Sequence, residues 1–574
     1  MHGSRTLLVT AFAMALSTTA MAGNVHTSLS EFDACVPLAD GRVAAGSGGG
    51  VVIVDAEGIE EMRITALDGL PGTKVHALAL AGGNLWVGTD KGLAKLSLAT
   101  GLIDPSSVVL TKAVRDILIS GESVFLATWG QGLLKVDGGT VTSAYLGDTP
   151  RSRRLTSVAS HKGQLWWTTA GAGLWSFGSG KTATQSTAVA RNSVLWTLAS
   201  HAGDLWIGGE AGATRLGTRQ TASRSVREIA VLAGNVYAAS FGAGLQPIGD
   251  GPRLSPPDRF ARSLGARKNT ACLGTQEALW IGKNGKWHKA RLAESLPAND
   301  IAAFVSDGKR SFVGTFDHGV AELLADGSVR SIPLKTSPHV NALAIDQKTG
   351  ALWIGTSSGL TRYYAGTSTH FDKAAGLPSM HVMSLDALRD GGVLVGTATG
   401  AARVEEGLVQ AVGGKGGLLT GNVWAVAEGR DGTDWLGTTR GVFHIRGANV
   451  ARYRVASGEL PDDWVMALAV ADDGVFVGTY KAGVVRLITT GERVVAKALG
   501  QGWINPSGLD WDGTTLRAAT MHGAFRGDGE QPAWNSEIQG LGRDTTAFLP
   551  TENGAEWIVT RRGLERRTYD SESK

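Results

Sequence analysis

Leu352-Trp353-Ile354-Gly355-Thr356-Ser357-Ser358-Gly359-Leu360-Thr361-Arg362-Tyr363 decides the fold. An apolar, aromatic and β-branched run meets a small-residue turn, and a second apolar run follows. That is strand–turn–strand chemistry. The phrase recurs as Leu85-Trp86-Val87-Gly88-Thr89, Leu205-Trp206-Ile207-Gly208, Asp434-Trp435-Leu436-Gly437-Thr438 and Val475-Phe476-Val477-Gly478-Thr479. Anchored on the Trp position, fourteen copies fall at Ala44, Trp86, Phe125, Trp166, Trp206, Tyr237, Trp280, Phe312, Trp353, Leu394, Trp435, Phe476, Arg517 and Trp557. Their intervals are 42, 39, 41, 40, 31, 43, 32, 41, 41, 41, 41, 41 and 40. Turns such as Gly82-Gly83-Asn84 and Asp472-Asp473-Gly474 precede the anchors and supply the positive φ of tight hairpins. Each repeat therefore predicts three or four antiparallel strands, one propeller blade. The expected fold is all-β: tandem β-propellers with fourteen blades in two seven-bladed rings.

Composition agrees. Glycine is 80 of 574 residues, about twice ordinary usage, as several tight turns per blade require. Lys+Arg is 55 against Asp+Glu 52, a net charge of +3, which gives no global argument for nucleic acid or for a polybasic membrane surface, and no nucleic-acid partner is expected. Two cysteines exclude a disulfide-dense scaffold and any four-cysteine metal site. Arg5, the apolar run Leu7–Leu16 and Ala20-Met21-Ala22 read as a signal peptide over residues 1–22, with maturation at Gly23. No later apolar stretch reaches bilayer length, so the mature chain is expected to be soluble, exported to the periplasm or the medium, without direct membrane insertion.

The run Trp353 to Tyr363, with the lead-in Gly376-Leu377-Pro378-Ser379-Met380-His381-Val382 echoed by Gly69-Leu70-Pro71, resembles the two-component regulator propeller repeat. The resemblance covers nearly the whole mature chain. It implies the periplasmic sensor region of hybrid histidine kinases, in which fourteen repeats build two seven-bladed propellers. After Trp557 only 17 residues remain, and no kinase, receiver or span is expected beside the propellers. The expected domains are residues 23–292 for the first propeller and 293–574 for the second.

Two features bear on seven plus seven. The short interval from Trp280 to Phe312 equals one lost strand, which Asn24 to Phe32 could replace, closing the first ring. Cys35 and Cys272 lie nine and eight residues before their anchors, hence at matching places on the innermost strands of repeats one and seven. Neighbours in a closed ring, they could form a disulfide in an exported chain. Two buried thiols in strands fit the same positions.

Catalytic motifs are weak. Gly355-Thr356-Ser357-Ser358-Gly359 matches a nucleophile elbow in letters only, because it is one copy of the repeat turn and no helix follows. Gly178-Ser179-Gly180-Lys181-Thr182 lacks the first glycine of a phosphate loop, its place being taken by Trp175. No HExxH or EF-hand loop occurs, and no cofactor, metal site or catalytic residue is assigned.

Loops leading into the inner strands carry the binding candidates. In the first ring these are Lys74, His76, Arg115, Arg154, Arg227 and Lys268, a basic set able to focus an anion such as a uronate or sulfated glycan. In the second they are His339, Asn341, His381, Trp424, Asp463 and Trp464, a mixture suited to a neutral polar ligand. The sequence thus points to an exported, non-catalytic propeller that binds a glycan, a small ligand or a separate membrane, signalling or surface protein. A surface scaffold is the alternative, and a propeller lyase or glycan hydrolase a third.

Overall fold

In the computed structural model, residues 24–568 are described except 106, 178–181, 219–224, 255–257, 294, 325–327, 414–420, 491–492, 501, 531–533, 537–543 and 552–553. The signal peptide assigned to residues 1–22 lies outside them. Among these residues fourteen antiparallel sheets follow one another along the chain, with two short 3-10 turns, Ala66–Asp68 and Val455–Ser457, between them. Twelve sheets have four strands. The fifth, from Leu195 to Arg215, and the sixth, from Val226 to Pro247, have three among the described residues. Blade five has three strands among the described residues, beside the interval of 31 after Trp206.

The repeated phrase has a physical reading, letter by letter. The aromatic anchor packs between blades: Trp353 is buried, 5.7 Å from Phe371 of its own blade, and shares a cluster with Val382 of the next. The glycine lets the next blade close in. A Cβ on Gly355 would sit 2.6 Å from Val382 Cγ1, one on Gly88 2.8 Å from Val114 Cγ1, and one on Gly437 2.5 Å from Val465 Cγ1. Each of those valines opens the neighbouring inner strand. The threonine closes the hairpin, the Thr356 hydroxyl donating to the Gly359 carbonyl at 3.0 Å and accepting from the Ser358 N–H at 3.1 Å. Aromatic, glycine and threonine thus specify blade core, blade contact and turn.

Inner strands pack side by side into two rings of seven. The first closes where Ala34–Pro37 meets Ala261–Arg267. The Ser263 hydroxyl donates to the Phe32 carbonyl at 2.9 Å and the Phe32 N–H to the Thr275 carbonyl at 3.0 Å. Cys35 and Cys272 are disulfide-bonded across this joint. The second ring closes where Ile301–Ser306 meets Thr545–Pro550, with Phe304 and Trp557 ring centroids 5.4 Å apart.

Three expectations change. Trp280 is not the anchor of blade seven: it lies on the third strand, Leu279–Lys283, while Cys272 occupies the anchor place on the second, Thr270–Thr275. Leu279-Trp280-Ile281-Gly282 mimics the phrase one strand late. Re-anchored at Cys272, the intervals of 43 and 32 become 35 and 40, and no strand is lost. Cys272 therefore does not match Cys35, which is on the innermost strand. Finally, Asn24–His26 does not close the first ring. It pairs antiparallel with Gly563–Thr568, the third strand of blade fourteen. Blade seven already owns an outer strand, Lys286–Lys289, whereas blade fourteen has three strands of its own and an open edge that Asn24–His26 fills.

Candidate ligand-binding site

The inner strands of the first ring point into an axial cavity of about 430 Å³. A β-bulge near the start of most of these strands, such as Val114/Asp116 and Val226/Glu228, sets two successive residues toward the channel instead of one. The result is two stacked tiers. The upper tier takes one residue from each blade: Asp33, His76, Arg115, Thr156, Trp196, Arg227 and Arg262. Beneath it lie Ala34, Ala77, Asp116, Ser157, Glu228 and Ser263.

The upper tier is charged, and mostly paired. Arg262 Nε donates to Asp33 Oδ1 at 2.7 Å, and its Nη1 donates to Gln276 at 2.8 Å. Lys74 pairs with Glu31 at the rim. Arg227 lies 4.6 Å from the Trp196 ring and 3.4 Å from Glu210 Oε1. Burial alone would raise the Asp33 carboxyl, but the His76 hydrogen bond and the charges of Arg262 and Lys74 hold it far below the usual carboxylate range.

Arg115 is the exception. No carboxylate among the described residues lies within ion-pair distance of it. Its guanidinium packs 5.6 Å from the Trp129 ring, and Nη1 is 3.0 Å from His76 Nδ1. That nitrogen is also 3.2 Å from Asp33 Oδ2. One ring nitrogen cannot donate to Asp33 and accept from Arg115 together. Burial, aided by the Arg115 charge, lowers His76 to about 4 against the pull of Asp33, so the ring is neutral at pH 7. Arg115 is left with a partner it must share.

The lower tier is acidic but quiet. Asp116 accepts from the Ser157 hydroxyl at 2.6 Å and from the Val158 and Ile117 N–H groups at 2.9 and 2.8 Å. Glu228 Oε1 accepts from the Thr197 hydroxyl at 2.8 Å and the Ile229 N–H at 3.2 Å. Burial, reinforced by Asp116, pushes Glu228 up to about 8. A protonated Glu228 is a hydrogen-bond donor in the cavity floor.

Of the six basic candidates, His76, Arg115 and Arg227 line the cavity. Lys74 stands at its rim through Glu31, as does Arg154, 5.8 Å from the Trp129 ring. Lys268 is elsewhere: it sits in the hairpin turn between Ala261–Arg267 and Thr270–Thr275, at the opposite end of its strand from Arg262. Anchoring blade seven one strand late put it in the wrong loop. Asp33, Asp116, Glu228, Trp196 and Arg262 escape the sequence reading. For Asp116 and Glu228 the signal is a charge directly beside a charge inside a strand, Arg115-Asp116 and Arg227-Glu228; Asp33, Trp196 and Arg262 carry no such mark.

The second ring differs in kind. At the register of Arg115 it carries Asn341, Met383, Trp424, Met466 and Asn505, none of them charged. Asn341 donates to the Val382 carbonyl at 2.7 Å and ties two blades together. His339 meets the Phe316 ring edge-on at 5.6 Å, and His381 is exposed. Trp424 and Trp464 lie 6.3 Å apart, while Asp463 accepts the Val455 N–H at 2.7 Å. Among the described residues no group of three or more His, Cys, Asp or Glu is placed to hold a metal ion, and no helix is long and apolar enough to cross a membrane.

The architecture is that of a tandem seven-bladed β-propeller repeat protein. No family model and no curated protein matches the sequence. Solved structures do share the fold. The GH74 xyloglucanase from Xanthomonas campestris is similar over 96% of this chain and 100% of that one, with 13% identity and a TM-score of 0.58. PorZ, a surface component of the type-IX secretion system of Porphyromonas gingivalis, is similar over 95% and 87%, with 16% identity and a TM-score of 0.55. The extracellular domain of the putative hybrid two component system BT4673 from B. thetaiotaomicron aligns over 96% and 83% with 15% identity and a TM-score of 0.39. At these identities the likeness is one of fold.

Proposed function

We propose that this chain is an exported, non-catalytic binding protein whose first ring captures an anionic group, a carboxylate or sulfate on a glycan or small molecule. One observation carries the reading: among the described residues, Arg115 faces the cavity without a carboxylate within ion-pair distance and shares its hydrogen-bonding side chain, His76, with Asp33. A ligand oxyanion would satisfy the guanidinium bidentately and release His76 Nδ1 to Asp33. Trp196 and Phe241 give a flat apolar wall for the body of the ligand, and Glu228 a donor for a hydroxyl.

A carboxylate pair in a cavity favours a second reading, glycoside hydrolysis. Binding is preferred because Asp116 is already committed to three donors, which leaves only one acid free to meet a substrate.

The test is calorimetry and thermal shift of the mature chain with glucuronate, galacturonate, their oligomers and sulfate, against neutral sugars. An anion that binds the folded state raises its melting temperature. We expect a shift that Arg115→Ala weakens tenfold or more and that added salt diminishes. Equal response of Arg115→Ala and wild type, or none to any anion, overturns the proposal.

A further inference from the structure

We infer that the second ring carries a separate site for a neutral sugar chain, formed by a continuous aromatic strip across blades eleven to thirteen. It is independent of the anion site. Trp424 begins the strip at the ring mouth, 6.3 Å from Trp464. Trp464 stacks on Tyr480 at 4.6 Å and 29°. Tyr480 meets Trp503 edge-on at 5.3 Å, and Trp503 meets His522 at 6.3 Å.

Two indole rings are open to solvent: Trp464 is 37% exposed and Trp503 39%. Large aromatics left exposed in a connected row have forgone burial, and such patches mark binding surfaces. The backbone agrees. Trp503 has φ +64, the left-handed region that bulky residues avoid. That conformation holds the indole in the row, with the Met521 N–H donating to the Trp503 carbonyl at 3.4 Å and the Tyr480 N–H to the Trp464 carbonyl at 2.9 Å. The strip therefore rests on two matching rim bonds in adjacent blades.

The chemistry selects a sugar. The strip is aromatic, not aliphatic, so it offers flat faces to the C–H face of a pyranose. Hydrogen-bonding groups flank it. Asp462 positions the loop by accepting the Trp464 and Lys481 N–H groups at 3.1 and 3.0 Å. The Lys481 side chain is exposed, and Asp463 lies beside Trp464. The uncharged residues at the register of Arg115 in this ring give no reason for the ligand to be ionic. A flat, equatorially linked chain such as a β-1,4-glucan fits a row of exposed rings better than a curved one.

The experiment titrates the mature protein with cellohexaose and, for comparison, maltohexaose, following tryptophan fluorescence and heat. We expect cellohexaose to perturb the fluorescence and bind at least tenfold more tightly than maltohexaose. Trp464→Ala and Trp503→Ala should each weaken binding tenfold or more with melting temperature held, Trp464→Phe should retain most of it, and Arg115→Ala should leave it unchanged. No binding of either hexasaccharide, or binding untouched by Trp464→Ala and Trp503→Ala, overturns the inference. Loss of cellohexaose binding in Arg115→Ala would move the sugar to the first ring and overturn it equally.

Discussion

The Cα atoms of Cys35 and Cys272 lie 6.1 Å apart although 237 residues separate them in sequence, and their disulfide joins the innermost strand of blade one to the second strand of blade seven. A cross-link over so long a loop restricts the unfolded chain strongly. Cys35→Ser/Cys272→Ser is expected to lose about 2–4 kcal/mol of first-ring stability, measured by denaturant unfolding. Mass analysis of the denatured, unreduced wild type should find no free thiol. Two free thiols would mean that hydrogen bonds and packing alone hold the joint.

Gly355 abuts Val382 of the next blade, with no room for a methyl group. Gly355→Ala should therefore cost about 1–3 kcal/mol by overpacking. Val382→Ala in the same chain should recover part of that loss, and a double-mutant cycle reads the coupling. Additive effects would show that the two sites do not touch in solution.

Glu228 makes the first ring less stable as pH rises. Its folded value, about 8, lies above the ordinary 4.5 because of burial and the neighbouring Asp116. Between those two values the folded state holds a proton that the unfolded state has released, so stability falls with pH across that window. Glu228→Gln should flatten the dependence. It should be close to wild type near pH 4 and more stable by on the order of a few kcal/mol near pH 8, followed by chemical denaturation at a series of pH values. A wild-type profile with no decline between pH 5 and 8 would contradict this.

Asp33 works the other way. Its carboxyl is held below the ordinary range, so its contribution is full above that range and is lost as acid protonates it. Asp33→Asn removes the nearer of the two carboxylates paired with Arg262 and leaves it only Glu31, at 3.8 Å. We expect a loss of about 3 kcal/mol at pH 7, shrinking toward pH 2. The same change should free His76 for Arg115 and weaken anion binding.

The fold was legible because fourteen copies of one phrase repeat with one period, and each letter answers a packing demand. Trp353, Gly355 and Thr356 could be read as a unit before their contacts were known. The cavity was less legible. Arg115 and Asp116 adjoin in sequence, and strict strand alternation sends neighbours to opposite faces; the bulge at Val114/Asp116 sends both inward. Blade seven misled for a related reason: Trp280 wears the motif on the wrong strand, which displaced Lys268 to the wrong end of its blade. Pairing of Asn24–His26 with Gly563–Thr568 joins segments more than 500 residues apart, and nothing local in either segment announces it.

That pairing means the chain crosses between the rings twice, once from His26 to Asp33 and again from Lys289 to Ile301. The crossings are stitched together, since the Ser28 N–H donates to Asn299 Oδ1 at 2.6 Å and Asn299 Nδ2 donates to the Ser28 carbonyl at 3.2 Å. Nearby, Arg562 of blade fourteen pairs with Asp90 of blade two. A single tether would let one propeller spin on the other like a bead on a string. Two tethers side by side act as the paired pins of a door hinge do, opposing torsion of one ring on the other, and the Arg562–Asp90 pair adds a latch.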